Sequence, residues 1–337
     1  MTAAWAVRGA ATVVFSAVLC AGLIVVLRPA LRRYALARPN ARSSHREPTP
    51  QGAGIAVIAA TVAAAALGMF GVGAAIAPPP ASVLPAVVLM ACVGAVDDVR
   101  PLGVIPRLLL QGLSVAAVIH ALPDDLRVVP PLPFWVERMV LFVAGVWFAN
   151  LVNFMDGIDL MTVVEVVPLT AALAIVGALG ALPAYGVVVA LALGGAALGF
   201  AYFNRPVAKL FLGDVGSLSI GLILGWLLVL LAAGGHPVAA LMLPLYYLAD
   251  TAITLLRRTA RREPVWKAHR THFYQRATER GLTVIDVVGR VFAVNLGLCA
   301  LAVATVIVPG RVSDVAALLC GGVLVALLLF ALARGKK

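Results

Sequence analysis

Five aspartates stand at the ends of long apolar runs in a chain that otherwise avoids charge: Asp97, Asp98, Asp156, Asp159 and Asp214, drawn from three separate segments. A carboxylate at membrane depth is costly unless it is paired, hydrated or bound to a metal. Five converging on one membrane face therefore point to a functional cluster rather than to solvated loop charge. The adjacent pair in Gly94-Ala-Val-Asp97-Asp98 could hold a divalent ion or act as a base. Asn150, Asn153 and Asp156 recur at a spacing of three, which lines one helix face across the helix end. Asn153 with Asp156 makes an oxygen-rich site of the kind Mg²⁺ prefers, and Gly157 lets the chain turn out of the helix. Asp214, in the stretch Asn204 to Ser217, precedes a small-residue helix start where backbone N–H groups and a carboxylate can share a phosphate–metal unit. Phe211, three residues earlier, could stack a nucleobase.

Two basic segments accompany the acids. Residues 37–54 form a basic loop ending in a Pro/Gly-rich helix start whose exposed N–H groups suit phosphate, and the loop carries His45. The longest polar loop, Arg257 to Arg280, contains His269-Arg270-Thr-His272. The HxxH spacing resembles half a metal site, but with Asp and Asn already available, phosphate contacts by His and Arg are the better reading. Arg257, Arg258, Arg261 and Arg262 read as anchors to anionic lipid. The remaining acids read as structural. Asp124, Asp125, Asp314 and Glu137 are expected as solvated charge at the outer side, and Glu165 and Asp250, deeper within spans, as helix–helix hydrogen-bonding groups, with partnership to the acidic cluster as the alternative.

These residues need elements to hold them. Of the 337 residues, 62% are hydrophobic and 12% charged, about half the charged fraction of a soluble domain. Apolar runs recur along the whole chain, and eleven spans are expected, at about 10–30, 53–77, 82–97, 106–122, 134–152, 162–181, 183–202, 217–234, 237–256, 286–309 and 313–332. The fold class is all-α, a polytopic integral membrane helical bundle. The first run ends in Arg28, Arg32 and Arg33 without a small-residue cleavage site, so it reads as a retained helix rather than a signal peptide. With the C-terminus inside, 22 of the 26 basic residues fall on the cytoplasmic side; the other side keeps Arg8, Arg127, Arg138 and Arg311. That asymmetry accounts for the net charge of +11, and no basic soluble module exists to bind nucleic acid. The four cysteines lie in apolar segments without a CxxC partner, which suggests neither disulfides nor zinc.

The set SSHREPTPQGAG, GAVDD, NLVNFMDGID, NRPVAKLFLGDVGS and HRTHFYQ, in that order over about residues 37–280, resembles the polyprenyl-phosphate N-acetylhexosamine-1-phosphate transferases, glycosyltransferase family 4. That family includes phospho-MurNAc-pentapeptide translocase and the UDP-GlcNAc:undecaprenyl-phosphate transferases. The resemblance implies a single transmembrane transferase domain over 1–337, with 257–285 as a cytoplasmic basic loop, in a bacterial inner membrane. It implies Mg²⁺ (or Mn²⁺) on Asp214 with Asn153 and Asp156, uracil stacked on Phe211, and Asp97 and Asp98 beside the lipid phosphate, with Asp97 deprotonating it and Asp159 nearby. His269, Arg270 and His272 would contact pyrophosphate or sugar, with His45 and Asn204 as further substrate contacts. The partners implied are a UDP-N-acetylhexosamine, a polyprenyl phosphate and a second copy of the chain. HRTHFYQRATERG looks nearer the subgroup that initiates O-antigen or capsule-like glycans than the peptidoglycan enzyme. Two positions depart from the family pattern: Ala53 where Gly is frequent, and Leu160-Met161 where Gly-Leu usually follows Asp159.

Attack of a lipid phosphate on a UDP-sugar brings two anions together, so the expected catalysis is positioning and charge neutralisation. Direct attack is the expected course, with a phospho-aspartyl intermediate as the alternative. A transporter would instead place its acids at mid-membrane within broken helices. A CDP-alcohol phosphotransferase would carry a DGxxAR-type signature, whereas Asp156-Gly157 leads into Ile-Asp-Leu-Met.

Overall fold

The computed structural model describes residues 3–37, 48–70, 75–264 and 269–336. Its elements in order are α1 (Ala3–Tyr34), β1 (Leu36–Ala37), β2 (Thr49–Pro50), α2 (Gly54–Phe70), α3 (Val83–Val99), α4 (Val104–His120), α5 (Phe134–Met155), α6 (Met161–Ala178) and α7 (Ala184–Asn204). There follow α8 (Asp214–Ala233), α9 (Pro237–Met242), α10 (Leu245–Ala260), α11 (Phe273–Glu279), α12 (Val284–Ile307) and α13 (Arg311–Arg334). A bilayer offers the backbone no hydrogen-bonding solvent, so apolar segments satisfy their own N–H and C=O groups as helices. Seven of these helices, α1, α5, α6, α7, α8, α12 and α13, are long and apolar enough to cross a membrane. The two-residue strands β1 and β2 pair antiparallel and brace the start of α2.

The expected ninth span does not form one helix. It divides into α9 and α10 around Leu243-Pro244. Proline has no N–H to donate and its ring crowds the carbonyl four residues back. After the break, α10 is inside-out for a soluble helix: Tyr246, Tyr247, Asp250, Thr251, Thr254 and Arg258 are buried while Leu256 is exposed. That polar face lies within the bundle.

The core centres on α7 and α8. Helix α8 packs between α3 and α5 and also against α2 and α9, whereas α7 packs against α1, α2 and α6. The α1–α7 contact depends on small residues: a Cβ on Gly195 or Gly199 would lie 2.4 Å from the Val13 carbonyl oxygen or 2.3 Å from that of Ala17. The spacing of four puts both glycines on one face, the small-residue pattern that lets membrane helices approach closely. Ser16 adds a hydrogen bond of 2.6 Å to the Ala192 carbonyl across the same contact.

Glu165 hydrogen-bonds Asn295 of α12 at 2.7 Å, the helix–helix role expected for it. Glu137 does not match its expectation as solvated charge. It is 2% exposed and accepts hydrogen bonds from the Val128 and Val129 N–H groups and from Arg127. Arg127 and Arg138 both lie over the Phe134 ring, and Arg138 donates to the Pro123 carbonyl at 2.7 Å. Loop 122–133 is therefore folded around a buried carboxylate, while Asp124 and Asp125 are exposed as expected. At the other end of the bundle the Lys336 N–H donates to the Arg280 carbonyl, which seats the end of α13 beside the polar loop.

Candidate active site

The site assembles where α8 begins. Gly213, at φ 77°, turns the chain so that the first N–H groups of α8 point towards the end of α3. Asp98 answers them: its Oδ1 accepts the Asp214 N–H at 2.9 Å and its Oδ2 accepts the Val215 N–H at 3.2 Å. A carboxylate at a helix N-terminus meets both unpaired donors and the positive end of the helix dipole. The approach is close because residue 94 is glycine; a Cβ there would lie 2.4 Å from the Val215 nitrogen. Gly54, at the start of α2, similarly abuts the backbone of Gly216. The second and fourth motifs thus meet the end of the first, and hydrogen bonds from Ala53 N–H to the Phe211 carbonyl and from Phe211 N–H to the Pro50 carbonyl join them further.

Asp97 is turned differently. It accepts the Leu102 N–H at 2.6 Å and a hydrogen bond from Arg107 at 3.1 Å. The same Arg107 nitrogen lies 3.9 Å from Asp214 Oδ2, so one guanidinium faces two carboxylates. Asn153, at the end of α5, donates to Asp214 Oδ1 at 2.8 Å and to Ser217 at 2.9 Å, which brings the third motif into the cluster. Asn150, one turn earlier, donates to Gln111 of α4 and so anchors α5 instead of facing the acids.

Asp156 follows the last residue of α5 and accepts a hydrogen bond from Thr162. Desolvation, followed by the charges of Asp98 and Asp159, pushes its carboxyl up to about 7 against that bond. Asp159 and Asn204 are placed otherwise than a substrate contact would suggest. The Asp159 carboxylate accepts the Ala208 N–H at 3.0 Å. Asn204 accepts the Leu160 N–H at 2.7 Å and donates to the Leu210 carbonyl at 3.1 Å, so both ends of its amide are engaged with backbone. The pair clamps the turn before α6 onto the loop before α8. Held by that clamp, Leu160 has φ 63°. A left-handed conformation is free for glycine and strained for leucine, so the chain carries backbone strain at the position where its sequence differs from the motif it resembles.

The fifth motif reaches the cluster through Tyr274, whose hydroxyl donates to the Phe154 carbonyl at 2.9 Å. A Cβ on Gly157 would lie 2.1 Å from that hydroxyl, so the turn bearing Asp156 and the start of α11 are in direct contact. His272 stacks between His269 and Tyr274, and His269 pairs with Thr271. Arg270 lies 3.4 Å from Glu279. Phe211 is partly exposed beside Asp214 in sequence. His45 lies outside the described residues.

The donor chemistry suits a hard divalent cation. Asp97, Asp98, Asp156, Asp214 and Asn153 are all only partly buried, and Arg107 is set against the negative charge of Asp97 and Asp214. Asp98 gives both oxygens to α8, Asp97 is held by Leu102 and Arg107, and Asn153 gives its N–H to Asp214. Oxygens of Asp214 and Asp156 are thus the better placed for a cation. Among the described residues no three His, Cys, Asp or Glu side chains form a ready-made cage. Mg²⁺ does not need one, since it keeps waters and shares substrate phosphates.

Sequence reasoning missed Arg107, which read only as one of many basic residues, and Gln51, whose amide donates to the Asp98 carbonyl at 2.8 Å. It also passed over Tyr274, although the motif containing it was identified. The proximity of Arg107 to Asp97, ten residues away across one turn, was the available signal for the first.

The fold and site together define a polytopic helical membrane protein with a cluster of acidic side chains around the start of α8. Residues 80–232 match the family model described as glycosyl transferase family 4. Among curated relatives, the phospho-N-acetylmuramoyl-pentapeptide-transferase of Gluconobacter oxydans (strain 621H) is 33% identical over 174 residues, 46% of this chain and 47% of that protein. The protein of the same name from Limosilactobacillus reuteri (strain DSM 20016) is 32% identical over 126 residues, 36% of this chain and 38% of that one. A Bacillus subtilis (strain 168) protein named "Probable undecaprenyl-phosphate N-acetylglucosaminyl 1-phosphate transferase" is 26% identical over 211 residues, 56% of each. The chain spans about half the length of the curated relatives it matches.

Proposed function

We propose that this chain transfers an N-acetylhexosamine-1-phosphate from a UDP-sugar to a polyprenyl phosphate, giving polyprenyl-diphosphate-sugar and UMP, at the cytoplasmic face of a bacterial membrane. The observation that carries the reading is the meeting of Asp97, Asp98, Asn153 and Asp214 from three distant segments around one helix start, with Arg107 between the acids. Both substrates are anionic, so the residues must bind phosphate without repelling it. Asp97, held by the Leu102 N–H and Arg107, is the group to take a proton from the lipid phosphate. Arg107 offsets charge between Asp97 and Asp214. Phe211 stacks the uracil, and His269, Arg270 and His272 face the diphosphate or sugar. Asp214 and Asp156, with Asn153 orienting Asp214, would hold Mg²⁺, which when bound neutralises the diphosphate and eases departure of UMP.

The relatives' names divide between muramoyl-pentapeptide and N-acetylglucosamine donors. The loop HRTHFYQRATERG favours a donor used for O-antigen or capsule-like glycans, with the peptidoglycan precursor as the second reading. The test is UMP release by the purified chain from a panel of UDP-sugars with undecaprenyl phosphate and Mg²⁺. Activity with UDP-N-acetylhexosamines, at least about 100-fold lower in Asp214→Asn and lost on chelation, supports the reading. No UMP from any donor, or full activity in Asp214→Asn, ends it.

A further inference from the structure

Asp250 sits on the polar inner face of α10, 0% exposed, and gathers four hydrogen bonds. Its Oδ1 accepts from His272 Nδ1 at 3.0 Å, from the Phe273 N–H at 3.1 Å and from Thr254 at 3.2 Å; its Oδ2 accepts from Tyr246 at 3.3 Å. A carboxylate accepting at Nδ1 requires the proton there and directs the other ring nitrogen, Nε2, outward from the pair. His272 is 1% exposed, and Nε2 is buried without a hydrogen-bond partner among the described residues. The ring cannot turn to find one, because it is stacked at 5.0 Å on His269 and at 5.7 Å on Tyr274. Tyr274 in turn is hydrogen-bonded to Phe154, two residues before Asp156. An unpartnered buried ring nitrogen, rigidly held beside an acidic site, calls for a ligand atom to complete it.

We infer that Asp250 is a positioning residue: it holds His272 through Nδ1–H and favours the doubly protonated ring in the complex, so that Nε2–H donates to a diphosphate oxygen of the sugar nucleotide. The inference rests on the function proposed above and deepens it, because Asp250 acts only through His272. A purely structural Asp250 would do no more than tie α10 to the start of α11 through Tyr246, Thr254 and the Phe273 N–H. A double-mutant cycle on the full chain separates the two. Asp250→Asn should lower kcat/KM for UMP release about 10- to 100-fold, as loss of a histidine-orienting carboxylate does at comparable sites. In the His272→Gln background it should cost nothing further, within about twofold. Equal losses in both backgrounds overturn the proposal.

A second measurement needs neither turnover nor a folded Asp250 variant. In ¹⁵N-histidine-labelled wild type, the His272 signals, assigned by their loss in His272→Gln, should report protonated Nδ1 and an Nε2 resonance that moves on adding UDP with Mg²⁺. Nδ1 without its proton, or Nε2 unmoved at saturating UDP, also overturns it. If UDP moves Nε2 while no UDP-sugar yields UMP, the transferase reading fails and the positioning role stands.

Discussion

Asp97 and Asp98 are neighbours in sequence and differ in what they do. Asp98 gives both oxygens to the first N–H groups of α8, while Asp97 faces Arg107 and, across it, Asp214. Removing Arg107 leaves two carboxylates facing each other without a counter-charge. Arg107→Ala should lower the rate of UMP release about 100-fold, and Arg107→Lys should recover only part of it, since a compact ammonium on a flexible stem replaces a planar guanidinium. Steady-state assays of both variants check this; a fully active Arg107→Ala would remove the residue from the site. Leu160 offers a stability prediction at the same scale. Its φ of 63° is strained for leucine and worse for a side chain branched at Cβ. Leu160→Ile keeps the volume and should destabilise by about 1–2 kcal/mol, seen as a lower thermal midpoint in detergent.

Between elements, the site depends on backbones meeting closely. Helix α3 reaches the start of α8 only because Gly94 has no side chain. Gly94→Ala adds one methyl 2.4 Å from the Val215 nitrogen, which should cost about 1–3 kcal/mol as the helices part. It should also lower activity although no polar group is lost, because Asp97 and Asp98 move relative to Asp214. Gly289→Ala in α12, where a Cβ meets nothing within 4 Å, is the control and should keep full activity. Equal behaviour of the two variants would refute the close-packing account.

On the scale of the whole molecule, polar chemistry is divided between two ends. The acidic cluster, the loop around α11 and the end of α13 share one end, and the Glu137-centred loop caps the other. Glu137→Ala would leave Arg127 unpaired and two N–H groups unsatisfied, and should lower stability by about 3 kcal/mol without touching the acidic cluster. Thermal unfolding and UMP release measured together check that separation. Orientation is tested by single cysteines placed in a chain whose four native cysteines are replaced. A membrane-impermeant thiol reagent applied to intact cells should label Asp125→Cys and spare Lys336→Cys. The reverse pattern would put the acidic end outside.

Hydrophobic runs by themselves determined the helical membrane class and nearly all helix positions, because a bilayer forces apolar segments into helices whatever their neighbours. The helix–helix role of Glu165 was legible for the same reason: a buried carboxyl in an apolar span needs a polar partner. The break at Pro244 was missed, because the apolar run continues through the proline. Sequence could not separate Asp97 from Asp98, give Arg107 or Asp250 a partner, or distinguish buried Glu137 from its exposed neighbours. Those distinctions depend on which backbone N–H or ring nitrogen comes within hydrogen-bond distance in space, and the partners lie anywhere from 5 to 117 residues away along the chain. Hydrogen-bond partnership at such separations is a property of packed helices, and only the tertiary structure assigns it.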